Sequence, residues 1–345
     1  MGFPIVLYRI ARVVLLSALV GFGPSAVRGE ATGLFPRVSE DSVRLAVYNV
    51  YFDSLFQSGS GQMLERLIAG VEADVYAFQE VSGTDGATVK ARFDAASPTA
   101  GGWDFHKSGN NLTLSRYTLF DRFNDVPGSD RAIARAGIDL PDESFRGDMH
   151  LLNSHFACCG NEPSRQNDAE AITRWMDEAM TPGGLFDLDP DDAIVVAGDL
   201  NIVGSGRPLQ TLITGDGMRV DWDDSDMRDA APTHNGTGVD RWTWRNDDSP
   251  FPPGILDYTL YTDSVITQEQ AIVINPATMT SDQLAESGFL ATDFRIDPSI
   301  GFYDHLPLVI DFAPTIAAVP EPGGPAVLFL GWVVSVGRRR SDRRR

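Results

Sequence analysis

The sequence predicts an α/β fold in which two mixed β-sheets pack face to face and helices cover their outer sides. Apolar runs of strand length alternate along the chain with amphipathic helical patterns, as in α/β proteins. Many of these runs adjoin hairpin-like turns, which indicates antiparallel strand neighbours beside parallel ones. Two mixed sheets accommodate this pattern better than a single doubly wound sheet does.

Two segments have the spacing of helices, and eight have the character of strands. The second helix, 163–180, starts at Pro163, a residue suited to a first helical turn. The first helix, 62–72, carries an apolar stripe made of Met63, Leu64, Leu67, Ile68 and Val71. The predicted strands are 44–51, 73–78, 111–117, 131–139, 148–156, 193–200, 255–262 and 306–312.

The chain is acidic, with 48 Asp and Glu against 28 Lys and Arg and a formal net charge of −20. Nine of the basic residues but only three of the acids lie in 1–31 and 314–345, so the body is more acidic than the whole chain. Such a body repels polyanions, which argues against tight, sequence-independent binding to duplex DNA. It does not exclude a nuclease whose active-site cation supplies local positive charge.

Residues 1–31 are predicted to be a signal peptide. Arg9 and Arg12 precede an apolar run from 13 to 22, and small residues follow that run. The run is shorter than the roughly 20 residues of a membrane-spanning helix. Export with cleavage between Ala26 and Ala31 is the main interpretation, and an uncleaved membrane anchor is the alternative.

Residues 314–345 are predicted to be a linker and a sorting tail. Pro320-Glu321-Pro322 leads into an apolar stretch from 325 to 337, which ends in Arg338-Arg339-Arg340. This arrangement resembles the PEP-CTERM sorting signal of Gram-negative bacteria. The resemblance implies transient membrane contact, removal of the tail by an exosortase-type sorting enzyme, and delivery to the cell surface or extracellular matrix. A plain tail anchor is the alternative.

The two cysteines, Cys158 and Cys159, are adjacent, so no disulfide framework exists. In an exported chain they could form a vicinal disulfide, which the short spacing of neighbouring Cα atoms would strain. Two free thiols are the alternative. A zinc site built with His155 would lack a fourth ligand.

Polar side chains follow or precede several of the predicted strands. Asp199 and Asn201 come after the run 193–197, and the period of two in a strand predicts that they point the same way. A buried carboxylate is costly unless it is paired or bound to a metal. The complete set is Asn49, Glu80, His155, Asp199, Asn201, Asp257, Asp304 and His305. Gathered in one pocket, such groups would form a metal-assisted hydrolytic site, in which the many carboxylates favour Mg²⁺ or Mn²⁺ over zinc.

Six motifs stand in a fixed order along the chain: Val47-Tyr48-Asn49-Val50-Tyr51, Ala77-Phe78-Gln79-Glu80-Val81, Asn153-Ser154-His155-Phe156, Gly198-Asp199-Leu200-Asn201, Ile255-Leu256-Asp257-Tyr258 and Tyr303-Asp304-His305-Leu306-Pro307. Together they resemble the endonuclease/exonuclease/phosphatase superfamily over residues 43–313. The resemblance implies a four-layer α/β sandwich and a metal-dependent hydrolase of phosphoesters, and we expect a monomer.

The resemblance also implies roles for the residues of the set. Glu80 would be the principal Mg²⁺ ligand, with Asn49 and Asp304 near the metal. Asp199, helped by Asn201, would orient or deprotonate the attacking water.

The remaining roles concern the phosphate. His305, polarised by Asp257, would contact the scissile phosphate and act in acid–base catalysis. His155 would lie near the phosphate or the leaving group. A histidine at this position resembles the pattern of the deoxyribonuclease I, bacterial sphingomyelinase and phosphatase branches. Arg116, in a Ser-Arg motif of the family, would either approach the substrate phosphate or brace a loop.

Three functions are consistent with these observations. The first is an exported, Mg²⁺-dependent phosphodiesterase or nuclease. The second is a sphingomyelinase-like or inositol-phosphate phosphatase, which would need an apolar or aromatic patch such as Phe251-Pro252-Pro253 to meet a membrane. The third is a non-catalytic surface or matrix-binding protein. Segments 82–89, 157–162 and 204–206 are predicted to select the leaving group, and His106, His150 and His234 are predicted to be structural.

Overall fold

Two β-sheets form the centre of the protein in a computed structural model that describes residues 35–57, 61–294 and 304–315. Within these residues the strands are β1 (Val43–Asn49), β2 (Val75–Gln79), β3 (Asp104–Ser108), β4 (Asn111–Ser115), β5 (Leu119–Phe123), β6 (Ile133–Ile138), β7 (Met149–His155), β8 (Ala193–Asp199), β9 (Arg228–Asp229), β10 (Thr233–His234), β11 (Asp257–Tyr261), β12 (Ile266–Val273) and β13 (Leu308–Pro314). The α-helices are α1 (Gly61–Val71), α2 (Gly86–Ala96), α3 (Glu162–Ala179), α4 (Arg207–Thr214) and α5 (Ser281–Ser287).

Both sheets are mixed, as the sequence predicts. The seven-stranded sheet has the order β10-β12-β13-β1-β2-β4-β3, and the six-stranded sheet has the order β5-β6-β7-β8-β11-β9. Three neighbouring pairs are parallel, namely β1–β2, β7–β8 and β10–β12, and the other pairs are antiparallel. Each sheet therefore has a parallel pair near its middle.

The alternation of side chains along β8 shows how the layers are built. Val195 and Ala197 belong to the core shared with the seven-stranded sheet. Ile194 and Val196 point the other way and pack with α3 side chains such as Trp175. Because both faces of this strand are covered, nearly every one of its residues is apolar.

On the other side of the molecule, α1 and α2 add side chains such as Leu67 and Phe93 to the core of the seven-stranded sheet. The Phe93 ring contacts the rings of Tyr76 and Phe78 on β2 edge to face. With α3 and α4 on the six-stranded sheet, the order of layers is helices, sheet, sheet, helices. The predicted four-layer α/β sandwich is confirmed.

The elements predicted from the sequence are present, and each of their ends lies within two residues of the prediction. The prediction omits α2, α4 and α5 as well as β3, β5, β9, β10 and β12. Most of these elements are short or carry polar side chains at a sheet edge, so their apolar periodicity is weak. Residues 86–89, predicted to be part of a loop, form the first turn of α2.

The predicted signal peptide, most of the predicted sorting tail and Tyr303 lie outside the described residues. Among the helices of the described part, none combines the length and apolar character that crossing a membrane requires.

A buried ion pair joins the first and last strands of the domain. Arg44 on β1 lies opposite Asp311 on β13, and its Nε and Nη2 donate to that carboxylate at 2.6 and 2.8 Å. Nη1 and Nη2 also donate to the carbonyl oxygens of Val71 and Phe35. Arg44 is 4% exposed and Asp311 is fully buried, so neither charge is solvated by water once its partner is removed.

We therefore expect Arg44→Met to lower the free energy of unfolding by about 3–5 kcal/mol, because it leaves a buried carboxylate unpaired. Urea denaturation measures the change. The control is Lys90→Met, which breaks the half-exposed Lys90–Asp94 pair on α2 and should cost less than about 1 kcal/mol. Equal losses in the two variants would contradict the assigned importance of the buried pair.

Candidate active site

The predicted site residues meet where the two central parallel strand pairs, β1–β2 and β7–β8, end. Asn49 ends β1, Glu80 follows β2, and His155 and Asp199 end β7 and β8. Parallel strands bring their carboxyl ends to the same edge of a sheet. Because the two sheets pack face to face, the two edges lie against each other.

Asp199 is the centre of this arrangement and is only 2% exposed. Its Oδ2 accepts a hydrogen bond from Asn49 Nδ2 at 2.9 Å, which links the two sheets. The same oxygen lies 3.6 Å from His155 Nε2 and 3.6 Å from His305 Nε2. Burial raises the pKa of Asp199, and the nearby positive charge of His305 opposes that rise.

His305 and Asp257 form a tight pair. The Nδ1 of His305 lies 2.7 Å from Oδ2 of Asp257, which stands opposite Asp199 in the register of β11 and β8. Burial alone would lower the pKa of His305, but the charges of Asp257 and Asp199 outweigh it and raise that pKa to about 10. The imidazole is therefore protonated near neutral pH.

Glu80 and Asp304 supply two further carboxylates. Glu80 accepts hydrogen bonds from Asn49 Nδ2 at 3.1 Å and from the backbone N–H of Phe52 at 3.0 Å. Asp304 Oδ2 accepts from Trp244 Nε1 at 3.0 Å. The other oxygen of Asp304 is buried and has no hydrogen-bond partner among the described residues.

These groups fit a hard divalent cation. Glu80 and Asp199 each offer a carboxylate oxygen, and these oxygens and His155 Nε2 lie within 4.8 Å of one another. The Asp304 oxygen without a hydrogen bond lies 3.9 Å from His305 Nε2 and is available as a further ligand, since a buried carboxylate oxygen is costly unless a cation or a donor satisfies it. A donor set of several carboxylates and one amide has the character of a Mg²⁺ or Mn²⁺ site. Neither cysteine belongs to a candidate metal cluster among the described residues.

His155 differs in charge from His305. Its Nδ1 lies 2.9 Å from Asn110 Nδ2 and 3.5 Å from Arg131 Nη2. A guanidinium can only donate, so Nδ1 accepts and the ring carries its proton on Nε2, facing Glu80 and Asp199. Burial, then the charges of Arg131 and His305, lower the pKa of His155 to about 3. His155 is therefore a neutral hydrogen-bond donor.

The structure corrects one prediction for Asn201. The period of two does not reach this residue, because β8 ends at Asp199 and Asn201 has a left-handed φ of 49°. Its Nδ2 donates to the carbonyl oxygen of Phe156 at 3.1 Å, and its backbone N–H donates to Asp199 Oδ1 at 3.0 Å. Asn201 therefore braces the backbone beside His155 and Asp199.

Gly198 allows β7 and β8 to approach closely at this point. It has a φ of 139°, and a Cβ built on it would lie 1.9 Å from the carbonyl oxygen of Ser154. A side chain at this position would push the strands apart just before His155 and Asp199.

Arg116 lies at the opposite end of its sheet, which corrects the prediction that it approaches the substrate phosphate. Its Nη1 is 3.8 Å from Asp74 Oδ1, and its Nη2 donates to Ser97 Oγ at 3.0 Å. Asp74 precedes β2 and Glu80 follows it, a separation of about 20 Å at roughly 3.3 Å per residue. Arg116 matches the other prediction, that it braces a loop.

Sequence analysis missed Asn110, Arg131 and Trp244 as contacts of the site. Their roles depend on loops and on an isolated bridge between Trp244 and His305, which leave no periodic signal. The histidines predicted to be structural have other partners: the backbone oxygen of Phe123 for His106, Asp192 for His150, and the backbone oxygen of Trp242 for His234.

Comparison with known proteins identifies the class to which this fold and site belong. A sequence profile of the Endonuclease/Exonuclease/phosphatase family matches residues 46–293. The chain belongs to this family, whose members are hydrolases acting on phosphoester bonds. A sequence comparison with curated proteins gives no significant match.

Solved structures agree with the fold. A humanized D. rerio TDP2 superposes with a TM-score of 0.53 at 14% identity, covering 79% of this chain and 99% of that one. D. rerio TDP2 complexed with a single-strand DNA product gives a TM-score of 0.52 at 15% identity, with the same coverage of 79% and 99%. At these low identities the likeness shows a shared fold alone.

The neutral His155 predicts a specific loss of stability in acid. The unfolded chain takes up a proton near pH 6.5, whereas the folded chain does so only near pH 3. Without divalent metal, the free energy of unfolding should therefore fall as the pH decreases across this window. The slope should exceed that of His155→Gln by up to about 1.4 kcal/mol per pH unit. Denaturant titrations from pH 7 to 4.5 measure both proteins, and parallel pH dependences would contradict the neutral assignment.

Proposed function

We propose that this protein is an exported, Mg²⁺-dependent phosphodiesterase and that its substrate is a nucleic acid. The observation that carries the proposal is the convergence on Asp199 of one neutral and one protonated histidine, beside the carboxylates of Glu80 and Asp304. Phosphodiester hydrolysis requires this combination of an oriented water, positive charge on the phosphate and a proton donor.

Glu80, Asn49 and Asp304 would hold Mg²⁺, with Mn²⁺ as the alternative ion. When bound, the cation neutralises the non-bridging phosphate oxygens and stabilises the charge that develops on the phosphate. Asn49 has a second task, because its amide donates to both Glu80 and Asp199 and fixes their separation.

Asp199 orients and deprotonates the attacking water, and its raised pKa makes it a stronger base than an exposed aspartate. Asn201 holds the backbone on which Asp199 stands. The protonated His305, kept charged by Asp257, donates to the phosphate. His155 adds a neutral Nε2–H donor, 3.6 Å from the same oxygen of Asp199.

A polar cavity favours a substrate that extends beyond the scissile phosphate. It has a volume of about 360 Å³, and Arg131, which contacts His155, forms part of its wall together with Lys107, Ser108 and Asn124. Asp125 and Asp130 in the same wall balance the two cations, so hydrogen-bonding groups rather than net charge suit this cavity to the sugar-phosphate backbone of a strand. The likeness of fold to D. rerio TDP2 complexed with single-strand DNA product supports the same choice.

A phospholipid head group is the second candidate substrate, as in a sphingomyelinase-like enzyme. Phe52, whose backbone donates to Glu80, is 62% exposed, and Phe251 is 70% exposed. Exposed aromatic side chains near a site can insert into a lipid surface. The acidic body argues against tight binding of a nucleic acid, whereas the polar cavity favours an extended substrate, and the assays below separate the two substrates.

The proposal includes export and sorting. The motifs in 1–31 and 314–345 favour a signal peptide and a PEP-CTERM-like tail that an exosortase-type enzyme removes, which would deliver a monomer to the cell surface or matrix of a Gram-negative bacterium.

Removal of the divalent ion should abolish turnover, and Mg²⁺ should restore it. The full chain is incubated with plasmid DNA, single-stranded DNA, RNA, sphingomyelin and a bis-aryl phosphate, each with Mg²⁺ or with chelator. Glu80→Gln should weaken Mg²⁺ binding at least about tenfold in calorimetry, whereas Glu65→Gln on the exposed side of α1 should not change it. Chelator-resistant hydrolysis would contradict the metal dependence, and hydrolysis of sphingomyelin alone would favour the second substrate.

Changes in the proposed proton-transfer groups should slow turnover without unfolding the chain. We expect Asp199→Asn and His305→Gln each to lower kcat by about 100- to 10,000-fold. Asp224→Asn, which alters an exposed ion pair with Arg219, is the matched control and should keep the wild-type rate. Circular dichroism checks the fold, and folded variants with undiminished rates would remove these two residues from the chemistry.

A further inference from the structure

The loop 157–160, which follows His155 and Phe156, carries two sulfur atoms that lie closer together than van der Waals contact. Cys158 and Cys159 are both exposed, and their Sγ atoms lie 2.7 Å apart. Cys159 has a φ of 63°, a left-handed conformation that residues other than glycine adopt infrequently. The surrounding structure must hold such a conformation in place.

Arg165 supplies that support from beneath the loop. This residue is 1% exposed, and its Nη1 donates to the carbonyl oxygens of Ala157 and Cys159 at 2.8 and 3.0 Å. Its Nη2 donates to the carbonyl oxygen of Val203 at 3.0 Å. The backbone of the loop is therefore fixed by a buried cation, and the two thiols are held together without a bond between them.

The same loop borders the catalytic pocket. Cys158 stands three residues after His155, and the charges of both Asp199 and Arg131 act on its thiol. The hydrogen bond with the Cys159 sulfur, followed by burial, raises the pKa of Cys158, so this thiol is a poor candidate for a catalytic nucleophile. A group attached to both sulfurs would lie at the edge of the pocket.

We propose that Cys158 and Cys159 form a vicinal dithiol site, which closes to a disulfide on oxidation and, when reduced, chelates trivalent arsenic or a similarly thiophilic centre. Binding and oxidation at this site do not depend on the proposed function, and only the predicted effect of a bound arsenical on turnover rests on it. Fixing both thiols on one loop makes the second bond to a ligand intramolecular, which raises the overall affinity.

Both reactions balance at the two sulfurs. With a small disulfide as oxidant, one thiolate attacks it and releases one thiol, and the second thiolate then attacks the mixed disulfide and releases the other. The oxidant takes two electrons and the two protons of the cysteines. With phenylarsonous acid, two As–S bonds replace two As–O bonds and two water molecules leave.

The first test measures binding of phenylarsonous acid to the reduced full chain. One equivalent should bind at least about 100-fold more tightly to the wild type than to Cys158→Ser or Cys159→Ser, because a single thiol cannot chelate. Bound arsenical should lower turnover on the bis-aryl phosphate, and 2,3-dimercaptopropanol should restore it. The two serine variants should keep their turnover in the presence of the reagent.

Equal affinity in the wild type and the single-cysteine variants would overturn the chelating site. Full turnover of the wild type with arsenic bound would overturn the placement of the dithiol site at the edge of the pocket. Binding is read independently of activity, so an inactive preparation still tests the dithiol site.

The second test needs no variant. The full chain is treated with glutathione disulfide, exposed to N-ethylmaleimide and weighed by mass spectrometry. The oxidised chain should take up no maleimide, and its mass should be lower by two hydrogens. Reduction before the maleimide step should restore the uptake of two maleimides. Two maleimides after oxidation, or a persistent glutathione adduct, would show that the ring does not close.

Discussion

The burial of the Asp199 carboxylate is the constraint on which the site depends. A carboxylate that is 2% exposed must receive hydrogen bonds from the protein, because water cannot solvate it. Its donors come from different parts of the fold, with Asn49 at the end of β1 and the backbone of Asn201 beyond β8. Displacing one sheet relative to the other would break this set, so satisfying one buried charge fixes the alignment of both sheets.

A second polar contact supports the same alignment deeper between the sheets. Gln79 Nε2 on β2 donates to Asn153 Oδ1 on β7 at 2.7 Å, and Asn153 Nδ2 donates in turn to Thr113 on β4 at 3.2 Å. Gln79 directly precedes Glu80, and Asn153 lies two residues before His155. Amides buried between apolar sheets are costly unless both partners are in register. The contact between Gln79 and Asn153 therefore helps to set the separation of Glu80 and His155, although neither of these two residues takes part in it.

The sequence predicts the central strands and the site better than the sheet edges, for a physical reason. Strands buried on both faces, such as β8, must be apolar throughout, and a charged residue at their end is conspicuous. Edge strands such as β3 need no such pattern. Arg116 was open to two interpretations because the direction of β4 relative to β2 was unknown. Antiparallel pairing, which places Ser115 opposite Val75, carries the arginine away from the site.

The two histidines show how one pocket maintains two protonation states. Both Nε2 atoms lie 3.6 Å from the same oxygen of Asp199, and both rings are buried. Burial lowers the pKa of both rings, so the difference arises from the charged groups around them and above all from the partners at Nδ1. His305 faces the carboxylate of Asp257 there, whereas His155 faces an amide and a guanidinium. The partner at Nδ1 therefore decides which imidazole is protonated, and the proposed division of labour between the two histidines rests on this difference.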